Sequence, residues 1–499
     1  MSVMDNVVQN GPGELHQSNP RIASGSHNTA GLSADLNGLL AKMRAAQRKS
    51  GAPDYDTRIE HLDKLERMIL ARKYDIAKAV GMDFGVRSKH ESLMAEVMVV
   101  VSSIKHARAH LHEWMETEPR EVGWMFLPGR AEVIMQPLGV VGIIAPWNYP
   151  VQLALAPLVS ALAAGNRAIL KPSELVPDTA ELLKAMISET FAPDHVAVVT
   201  GGVEVSEAVS LLPLDHLVFT GSTRVGKIIM KAAAENLTPV TLELGGKSPA
   251  IVGESFSIAQ AAQKIMVGKC FNAGQTCIAP DYVMVPKGRA DAFVEECKAA
   301  FGAMYPRIQT NPDYTAIIND RQYERLQSSL KDARDRGAKV IELNPAKEEL
   351  DPNARKMAPH LVLHAKDDSV LMQEEIFGPI LPILTYETLD EAIGYVNDHP
   401  RPLALYFFDH DRKRIDKVLR ETISGGVSIN ETMLHIAQDD LPFGGVGPSG
   451  MGHYHAREGF DAFTKKKPVF YQSRINGTGL LKPPYGKNID FALKMLLGK

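Results

Sequence analysis

Cysteine is scarce in this chain: its 499 residues include only Cys270, Cys277 and Cys297. An odd number of cysteines leaves at least one thiol free under any pairing, and so few in so long a chain exclude a disulfide framework. Free thiols are typical of a reducing compartment, so we expect a cytoplasmic protein. At least one of these thiols is then a candidate for chemistry.

Long apolar runs are also missing. The segment MSVMDNVVQNGPGELHQSNP at the N-terminus has neither a basic flank nor a continuous apolar stretch, so it matches neither a signal peptide nor a membrane anchor. No later segment supplies the roughly 20 uninterrupted apolar residues that span a bilayer. We therefore expect a soluble protein without a membrane partner.

Neither sign of charge is in large excess, because 55 basic and 59 acidic residues give a net charge of -4. This balance gives no support for nucleic-acid binding, and small molecules are the expected partners. The closely spaced pair His453 and His455 is expected at the surface. No metal site is predicted.

The order of the apolar patterns predicts an α/β protein, and a chain of this length is expected to divide into more than one domain. Residues 1–30, rich in Ser, Asn, Gly and Pro, are expected to form a loosely ordered tail. A helical period runs from about 35 to 118, where we expect packing elements. Strand-like runs then alternate with helical windows from 132 onward, and a second such series extends from about 248 to 440. In parallel sheets of this kind, ligands bind beyond the carboxyl ends of the strands.

The surroundings of Cys270 and Cys277 differ. Cys270 belongs to the helical window AAQKIMVGKCF, where a small, half-apolar residue is most simply a packing residue. Cys277 follows the segment NAGQT, which breaks the helical period and leaves the sulfur on a turn. A thiol on a turn is accessible to a substrate, although it can equally be idle.

Two polar residues at strand ends complete a candidate catalytic set. Glu243 ends the apolar strand of VTLELGGKSP, directly before two glycines that permit close approach of a ligand. Burial there would raise its pKa and make it a general base, and the alternative is a helix cap or an ion pair with Lys247. Asn148, between two prolines in APWNYP, can donate to an oxyanion or simply stabilise the turn.

Two further stretches are candidates for binding a nucleotide. The turn FTGSTRVGK follows a strand and opens a helix, so its amides can face a phosphate. A magnesium-binding phosphate loop needs a hydroxyl residue after the lysine, whereas Ile228 follows Lys227, and the usual glycine pattern of a dinucleotide loop is also missing. In LKPSE, the side chains of Lys171, Ser173 and Glu174 can contact a ribose or a phosphate, or form a surface ion pair.

The motifs PWNYP, KPSE, FTGSTRVG, LELGGKSP, FNAGQTC, EEIFGP and NETMLHIAQDDLPFGGVGPSGMG occur in this order along the chain. Together they resemble the aldehyde dehydrogenase superfamily, and the match runs from about 35 to about 470. The forms PLDHLVFTGSTRVGK, GQTCIAPDY and LPFGGVGPSGMGHYHAREGF are similar to the class 3 branch. Within that branch the chain is most similar to coniferyl aldehyde dehydrogenases.

The resemblance implies a role for each candidate residue. Cys277 matches the nucleophile, Glu243 the general base and Asn148 the side-chain donor to the oxyanion. The implied cofactor is NAD, with NADP as the second candidate. Its implied contacts are Lys171, Ser173 and Glu174 on the adenosine side, Gly221, Ser222 and Gly226 at the pyrophosphate, and Glu375 and Phe377 at the nicotinamide ribose and ring.

A domain plan follows from the same resemblance. Residues 31–123 and 144–242 are expected to form a variant Rossmann dinucleotide-binding domain, and 243–440 an α/β catalytic domain. Residues 124–143 and 460–499 are expected to form a β arm and a C-terminal tail that build a homodimer.

The implied reaction is NAD(P)-dependent oxidation of an aldehyde to a carboxylic acid through a Cys277 thiohemiacetal and thioester. Glu243 favours hydrolysis of the thioester, because relatives that transfer the acyl group to coenzyme A tend to lack a glutamate at this position. Three alternatives stay open: an acylating or reductive relative that uses coenzyme A, a non-catalytic dinucleotide-binding scaffold, and a cysteine protease with His435 or His453.

The substrate is expected to be an aromatic aldehyde such as coniferyl aldehyde, or a medium-chain aldehyde. By resemblance, the loop ETMLHIAQDD lines the aldehyde channel together with Tyr149 and Phe443. These residues are moderately apolar, which favours such a substrate.

Overall fold

The computed structural model describes residues 29–498. The tail predicted for 1–30 therefore lies outside the described residues except at its end, where the first helix begins. The strands are β1 (Glu118–Arg120), β2 (Arg130–Pro137), β3 (Val140–Ile144), β4 (Arg167–Lys171), β5 (Val196–Val198), β6 (His216–Gly221), β7 (Val240–Leu244), β8 (Pro249–Val252), β9 (Tyr282–Pro286), β10 (Lys339–Glu342), β11 (His360–Leu363), β12 (Ile380–Tyr386), β13 (Ala404–Phe408), β14 (Gly426–Ile429), β15 (Gly450–Met451) and β16 (Thr464–Tyr471).

The helices alternate with these strands, as the sequence pattern predicts. They are α1 (Thr29–Ser50), α2 (Tyr55–Phe84), α3 (Lys89–Ser92), α4 (Val99–Met115), α5 (Gln152–Ala163), α6 (Pro177–Thr190), α7 (Val203–Ser210), α8 (Thr223–Ala234), α9 (Ile258–Cys270), α10 (Ala290–Met304), α11 (Asp320–Asp335), α12 (Val370–Gln373), α13 (Leu389–Asp398), α14 (Arg412–Glu421), α15 (Ala456–Ala462) and α16 (Lys487–Leu497). A π-helical turn, Leu93–Met98, joins α3 to α4. None of the described helices combines the length and the apolar composition needed to cross a bilayer.

A six-stranded sheet with the order β15-β7-β6-β3-β4-β5 forms the first layer. Only β15 runs antiparallel to its neighbour. Strand β3 (VVGII) is buried at every position, as expected for a parallel strand covered on both faces. Helices α2, α4, α5 and α6 supply the core on one face, and α1, α7 and α8 supply it on the other.

A seven-stranded sheet with the order β10-β11-β12-β9-β8-β13-β14 forms the second layer. Its strands are parallel except at the β10–β11 pair. Helices α9 and α10 pack on one face, while α13 and α14 pack on the other. The predicted α/β class, with two sheet-based lobes, is confirmed.

A three-stranded antiparallel sheet, β1-β2-β16, includes strands from both ranges predicted for the arm. The run VIMQPLGVVGIIAP, which has strand character throughout, divides into β2 and β3, which belong to different sheets. Gly139 lies at the division with a φ of 146°, a conformation that favours glycine. The arm predicted for 124–143 is therefore too long, because 140–143 pair with β4 and β6. The other domain bounds stay predictions.

The order of the six-stranded sheet brings distant parts of the sequence together. Strands β4, β3, β6 and β7 are consecutive and parallel, so their carboxyl ends lie at one edge. Lys171 ends β4, the loop with Asn148 follows β3, Gly221 ends β6, and Glu243 is the fourth residue of β7. This edge is where ligands bind in sheets of this kind.

Candidate active site

A strained turn separates Cys270 from Cys277. Helix α9 ends at Cys270, and the next turn has φ angles of 50° at Asn272, 51° at Ala273 and 74° at Gly274. Residues with side chains adopt this left-handed conformation only at a cost in free energy, so the surroundings must hold the turn. Cys270 is buried, whereas Cys277 is partly exposed beyond the turn.

Two fully buried amide side chains hold this turn. Asn272 Nδ2 donates to the carbonyl oxygens of Asn148 and Gln275, at 3.2 and 3.1 Å. Gln275 Nε2 donates to the carbonyls of Asn272 and Ala316, at 3.1 and 3.0 Å. Gln275 Oε1 accepts from the backbone N–H of Ile318 at 3.0 Å. The position of the turn is thus fixed by bonds to several separate segments.

Asn148 lies against the same turn. Its side chain is almost fully buried, at 3% exposure. The Nδ2 atom donates to the carbonyl of Gln275 at 3.2 Å, two residues before Cys277. A carboxamide nitrogen carries two N–H groups. One is used in this bond, so the second is available to another acceptor.

Glu243 is a buried carboxyl group at the edge of the sheet. It is 3% exposed, and neither carboxyl oxygen has a hydrogen-bond partner among the described residues. Burial raises its pKa well above the usual carboxyl range. Lys247, the alternative partner, instead forms an ion pair with Asp281 and donates to the carbonyl of Leu371 at 2.6 Å. A buried carboxyl without partners is a candidate for proton transfer.

Cys277 and Glu243 line one cavity. Burial raises the pKa of the Cys277 thiol, and the carboxyl groups of Glu375 and Glu243 raise it further. The resting thiol is therefore protonated, and it must lose this proton to become a nucleophile. The second glutamate in the cavity wall, Glu431, is paired with Lys264, so Glu243 is the carboxyl group left without a partner.

The cavity has a volume of about 590 Å³, in the range of small-molecule sites. The predicted residues Tyr149 and Phe443 both line it. The predicted loop contributes Glu431, Thr432, Met433, Leu434, Ile436 and Ala437. Most of the wall is apolar, which suits a hydrophobic aldehyde.

Sequence reasoning missed the remaining wall of the cavity. Met94, Ala95 and Met98 come from the π-helical turn, and further lining residues come from the start of α5 and from α9. The segment 35–118, where packing elements are expected, therefore also supplies part of the cavity wall. The two methionines are four residues apart on one helical face, a weak signal that equally fits core packing.

The residues predicted for the adenosine side lie together after β4. Lys171 is 1% exposed, and its Nζ lies 3.1 Å from Oε2 of Glu174, whose side chain is 36% exposed. Burial lowers the pKa of Lys171, while Glu174 opposes this shift. Ser173 Oγ accepts from the backbone N–H of Leu175 at 3.2 Å, so this hydroxyl also stabilises the turn.

The predicted pyrophosphate turn opens helix α8. Gly221 ends β6, and Ser222 is the N-cap of α8, accepting from the N–H of Val225 at 3.4 Å. At Gly226 a Cβ would lie 2.6 Å from Leu244 Cδ2, so a larger residue would require the Leu244 side chain to shift. Helix N-termini attract phosphate. Together with the Lys171 ammonium, which has donors beyond the one that Glu174 accepts, these groups fit a dinucleotide.

Glu375 and Phe377 lie in the loop between α12 and β12, at the other sheet. Phe377 has a φ of 49°, and its ring lies edge-on to Trp147, with centroids 5.3 Å apart. Burial, followed by Asp281, raises the pKa of Glu375 to about 8. Asp281 also accepts from the N–H of Ile376 at 2.9 Å, which holds this turn. Phe377 therefore lies next to the loop that carries Asn148.

The histidines proposed for a cysteine protease do not line the cavity of Cys277. His435 Nδ1 lies 2.9 Å from Ser428 Oγ, and burial lowers the pKa of this imidazole to about 4. The expected surface position of His453 and His455 is wrong for His455, which is buried and stacked on Phe443.

Known proteins share both the sequence and the fold. The model of the aldehyde dehydrogenase family matches residues 22–469. The "Probable coniferyl aldehyde dehydrogenase" of Pseudomonas aeruginosa is 51% identical over 455 residues, covering 91% of this chain and 94% of that protein. Aldehyde dehydrogenase family 3 member A2 of Mus musculus is 40% identical over 452 residues, covering 90% and 91%. A substrate-bound structure of Staphylococcus aureus AldH has a TM-score of 0.87 at 40% identity, covering 92% of this chain and 99% of that one.

The chain therefore belongs to the aldehyde dehydrogenase family. It is an NAD(P)-dependent oxidoreductase that converts aldehydes into carboxylic acids. The resemblance to the class 3 branch and to coniferyl aldehyde dehydrogenases, read from the motifs, is confirmed.

Proposed function

We propose that this chain oxidises an aromatic or medium-chain aldehyde, with coniferyl aldehyde as the leading candidate, and that Cys277, Glu243 and Asn148 carry the reaction. One observation supports this most strongly. The partly exposed thiol and the buried, unpaired carboxyl group share an apolar cavity, beside the turn to which the Asn148 amide is bonded.

Cys277 starts the reaction as the nucleophile. Its proton passes to Glu243 or to a water, and the thiolate attacks the aldehyde carbon to form a thiohemiacetal. The carbonyl oxygen becomes an oxyanion, which accepts hydrogen bonds from the free N–H of the Asn148 amide and the backbone N–H of Cys277. Bound NAD(P) supplies the hydride acceptor that allows oxidation to the thioester.

Glu243 completes the cycle as a general base. Once any proton received from Cys277 has passed to solvent, the Glu243 carboxylate, whose pKa is raised by burial, takes a proton from water, and the resulting hydroxide attacks the thioester carbonyl. The carboxylic acid leaves, and the Cys277 thiolate is restored. Acid formation from an aldehyde and NAD without coenzyme A tests this hydrolytic route. An absolute requirement for coenzyme A would instead support the acylating alternative.

The proposed substrate class is supported by the cavity and by a relative. A volume of about 590 Å³ with largely apolar walls suits an aromatic ring with a short side chain. The Pseudomonas aeruginosa relative is named for coniferyl aldehyde. Measuring kcat/KM for a panel of aromatic and straight-chain aldehydes tests the proposal. A marked preference for small hydrophilic aldehydes would contradict it.

NAD is the proposed cofactor in preference to NADP. The half-exposed carboxylate of Glu174 can accept hydrogen bonds from the adenosine ribose hydroxyls, whereas the extra phosphate of NADP would meet a like charge there. Lys171 lies 3.1 Å from that carboxylate and partly offsets the repulsion. We therefore expect a preference and not an exclusion.

The arm is proposed to build a homodimer. Several apolar side chains of its sheet and of the preceding turn are exposed: Trp124, Leu127, Phe470 and Tyr471. Exposed aromatic side chains in a cluster are typical of protein interfaces. Sedimentation equilibrium tests this, and replacing Trp124 and Phe470 with serine should shift the protein toward monomer.

A further inference from the structure

A cluster of buried charges lies behind the candidate active site and takes no part in the proposed steps. Arg87 Nη1 and Glu96 Oε1 form an ion pair at 3.0 Å, and both side chains are inaccessible to solvent. Glu91 is buried nearby. Buried ion pairs contribute little net stability, because the loss of hydration offsets their attraction. Their contacts therefore need another explanation.

The Arg87–Glu96 pair holds the loop of Asn148. Arg87 Nη1 also donates to the carbonyl oxygen of Asn148, at 2.8 Å. Glu96 Oε2 accepts from the backbone N–H groups of Val151 and Gln152, at 3.0 and 2.8 Å, where α5 begins. One carboxylate and one guanidinium thus bind both ends of the segment that carries the proposed oxyanion donor.

Glu91 holds the opposite side of the site. Its Oε2 accepts from the backbone N–H of Asn272 at 3.1 Å and from Thr315 Oγ1 at 3.4 Å. Asn272 is the first left-handed residue of the turn before Cys277. The segment 87–96 therefore contacts both the loop of Asn148 and the turn of Cys277 from a single short stretch of chain.

We propose that Glu96 is a positioning residue, which acts through Arg87 and the start of α5 to set the Asn148 amide at its working distance from Cys277. Glu91 holds the turn before Cys277, which fixes the other end of this distance. The inference rests on the proposed function, because it assumes that Asn148 donates to the oxyanion. Small displacements of such a donor are costly to the rate, since catalysis depends on its position.

The test replaces Glu96 with glutamine, which keeps the shape and removes the charge. The readout is the burst of 4-nitrophenol released from 4-nitrophenyl acetate without dinucleotide, because this burst reports acylation of Cys277, which precedes the hydrolysis step assigned to Glu243. Glu96→Gln should lower the acylation rate by about 10-fold or more. Asp83→Asn is the matched control. Asp83 accepts hydrogen bonds from the N–H groups of Asp178 and Thr179 at the start of α6, at 3.0 and 2.9 Å. The Asp83→Asn variant should change the acylation rate by less than about 2-fold.

A double mutant separates positioning from general destabilisation. If Glu96 acts through the Asn148 amide, then Glu96→Gln in an Asn148→Ala background should lower the rate by less than about 2-fold more. The same loss in both backgrounds, or full activity of Glu96→Gln alone, would overturn the inference.

Two further outcomes are distinguishable. Should Glu96→Gln fail to fold, Arg87→Lys replaces it in the same cycle, because the shorter lysine keeps the charge but does not reach the position of Nη1, which contacts both Glu96 and the Asn148 carbonyl. If Asn148→Ala has the same acylation rate as the wild type, the proposed role of Asn148 is contradicted. The positioning role of Glu96 then fails with it.

Discussion

The two ends of the site differ in how their polar groups are satisfied. At the nucleotide end, Lys171 and Glu174 form an ion pair, and the carboxylate is half-exposed. At the cavity end, Glu243 is buried without a hydrogen-bond partner among the described residues, and burial raises the pKa of the Cys277 thiol. A satisfied, solvated group binds with modest gain, whereas an unsatisfied group in an apolar cavity is available for chemistry. Substitutions at the cavity end should therefore lower the reaction rate far more than substitutions at the nucleotide end.

The largest expected effect is at Cys277. Cys277→Ala should lower aldehyde oxidation by at least about 10⁴-fold, because no other described thiol opens into the cavity. Dinucleotide binding, measured by fluorescence titration, should be unchanged. Cys270→Ala is the matched control and should keep most of the activity, since this buried thiol only packs. Loss of activity in the Cys270 variant with an active Cys277 variant would reverse the assignment.

The next effect separates the two chemical steps. Glu243→Gln should lower steady-state turnover by about 10²- to 10⁴-fold, because thioester hydrolysis loses its base. With aldehyde and NAD in excess over the enzyme, NADH formation by the variant should show a burst of one turnover followed by a slow steady rate. Equal turnover of the variant and the wild type would remove Glu243 from the mechanism.

The pH dependence of the same pair of proteins gives a second check. The pKa of Glu243 is raised, so its carboxylate form, which acts as the base, is lost as the pH falls through a value above the usual carboxyl range. Wild-type turnover should fall with decreasing pH in that window. Glu243→Gln should lack this acid limb, and retention of the limb would assign it to another group.

A smaller effect is expected at Asn148. Asn148→Ala should lower the acylation rate by about 10²- to 10³-fold, the usual cost of removing one oxyanion donor. The affinity for the dinucleotide should stay the same. Stopped-flow measurement of the burst rate tests this, and a rate within a factor of two of the wild type would exclude the proposed donor.

The smallest effect belongs to the nucleotide end. Repulsion between Glu174 and the phosphate of NADP is expected to cost on the order of 1–3 kcal/mol, a roughly 5- to 150-fold preference for NAD in kcat/KM. Glu174→Gln should narrow the ratio with little change in the rate with NAD. A higher kcat/KM of the wild type with NADP than with NAD would contradict the proposed cofactor preference.

The sequence predicted the residues at strand ends better than those on helices. Glu243 and Gly221 lie at or next to the ends of apolar strands and Asn148 follows one, so the pattern alone placed them near strand ends, and the sheet order brings these ends to one edge. Met94 and Met98 reach the cavity, and Glu96 reaches the start of α5, because of how the π-helical turn packs against α5 and α9. Neither a helical period nor residue type encodes that packing.

The division of VIMQPLGVVGIIAP between two sheets illustrates a second limit. Both halves have strand character, and a single glycine, Gly139, marks the change of partner. Strand pairing is decided by contacts between segments far apart in sequence. The family resemblance predicts an arm in this part of the chain, whereas the residues at which β2 ends and β3 begins are known only from the structure.

The central claim is that the acyl group is held on Cys277, and the direct test is to trap it. Glu243→Gln is mixed with a stoichiometric amount of aldehyde and NAD, quenched with acid after the burst, digested and mapped by mass spectrometry. The account predicts an acyl adduct on the peptide that contains Cys277, at the sulfur of that residue. An adduct on Cys270 or Cys297, or a full burst of NADH without any adduct, would contradict it.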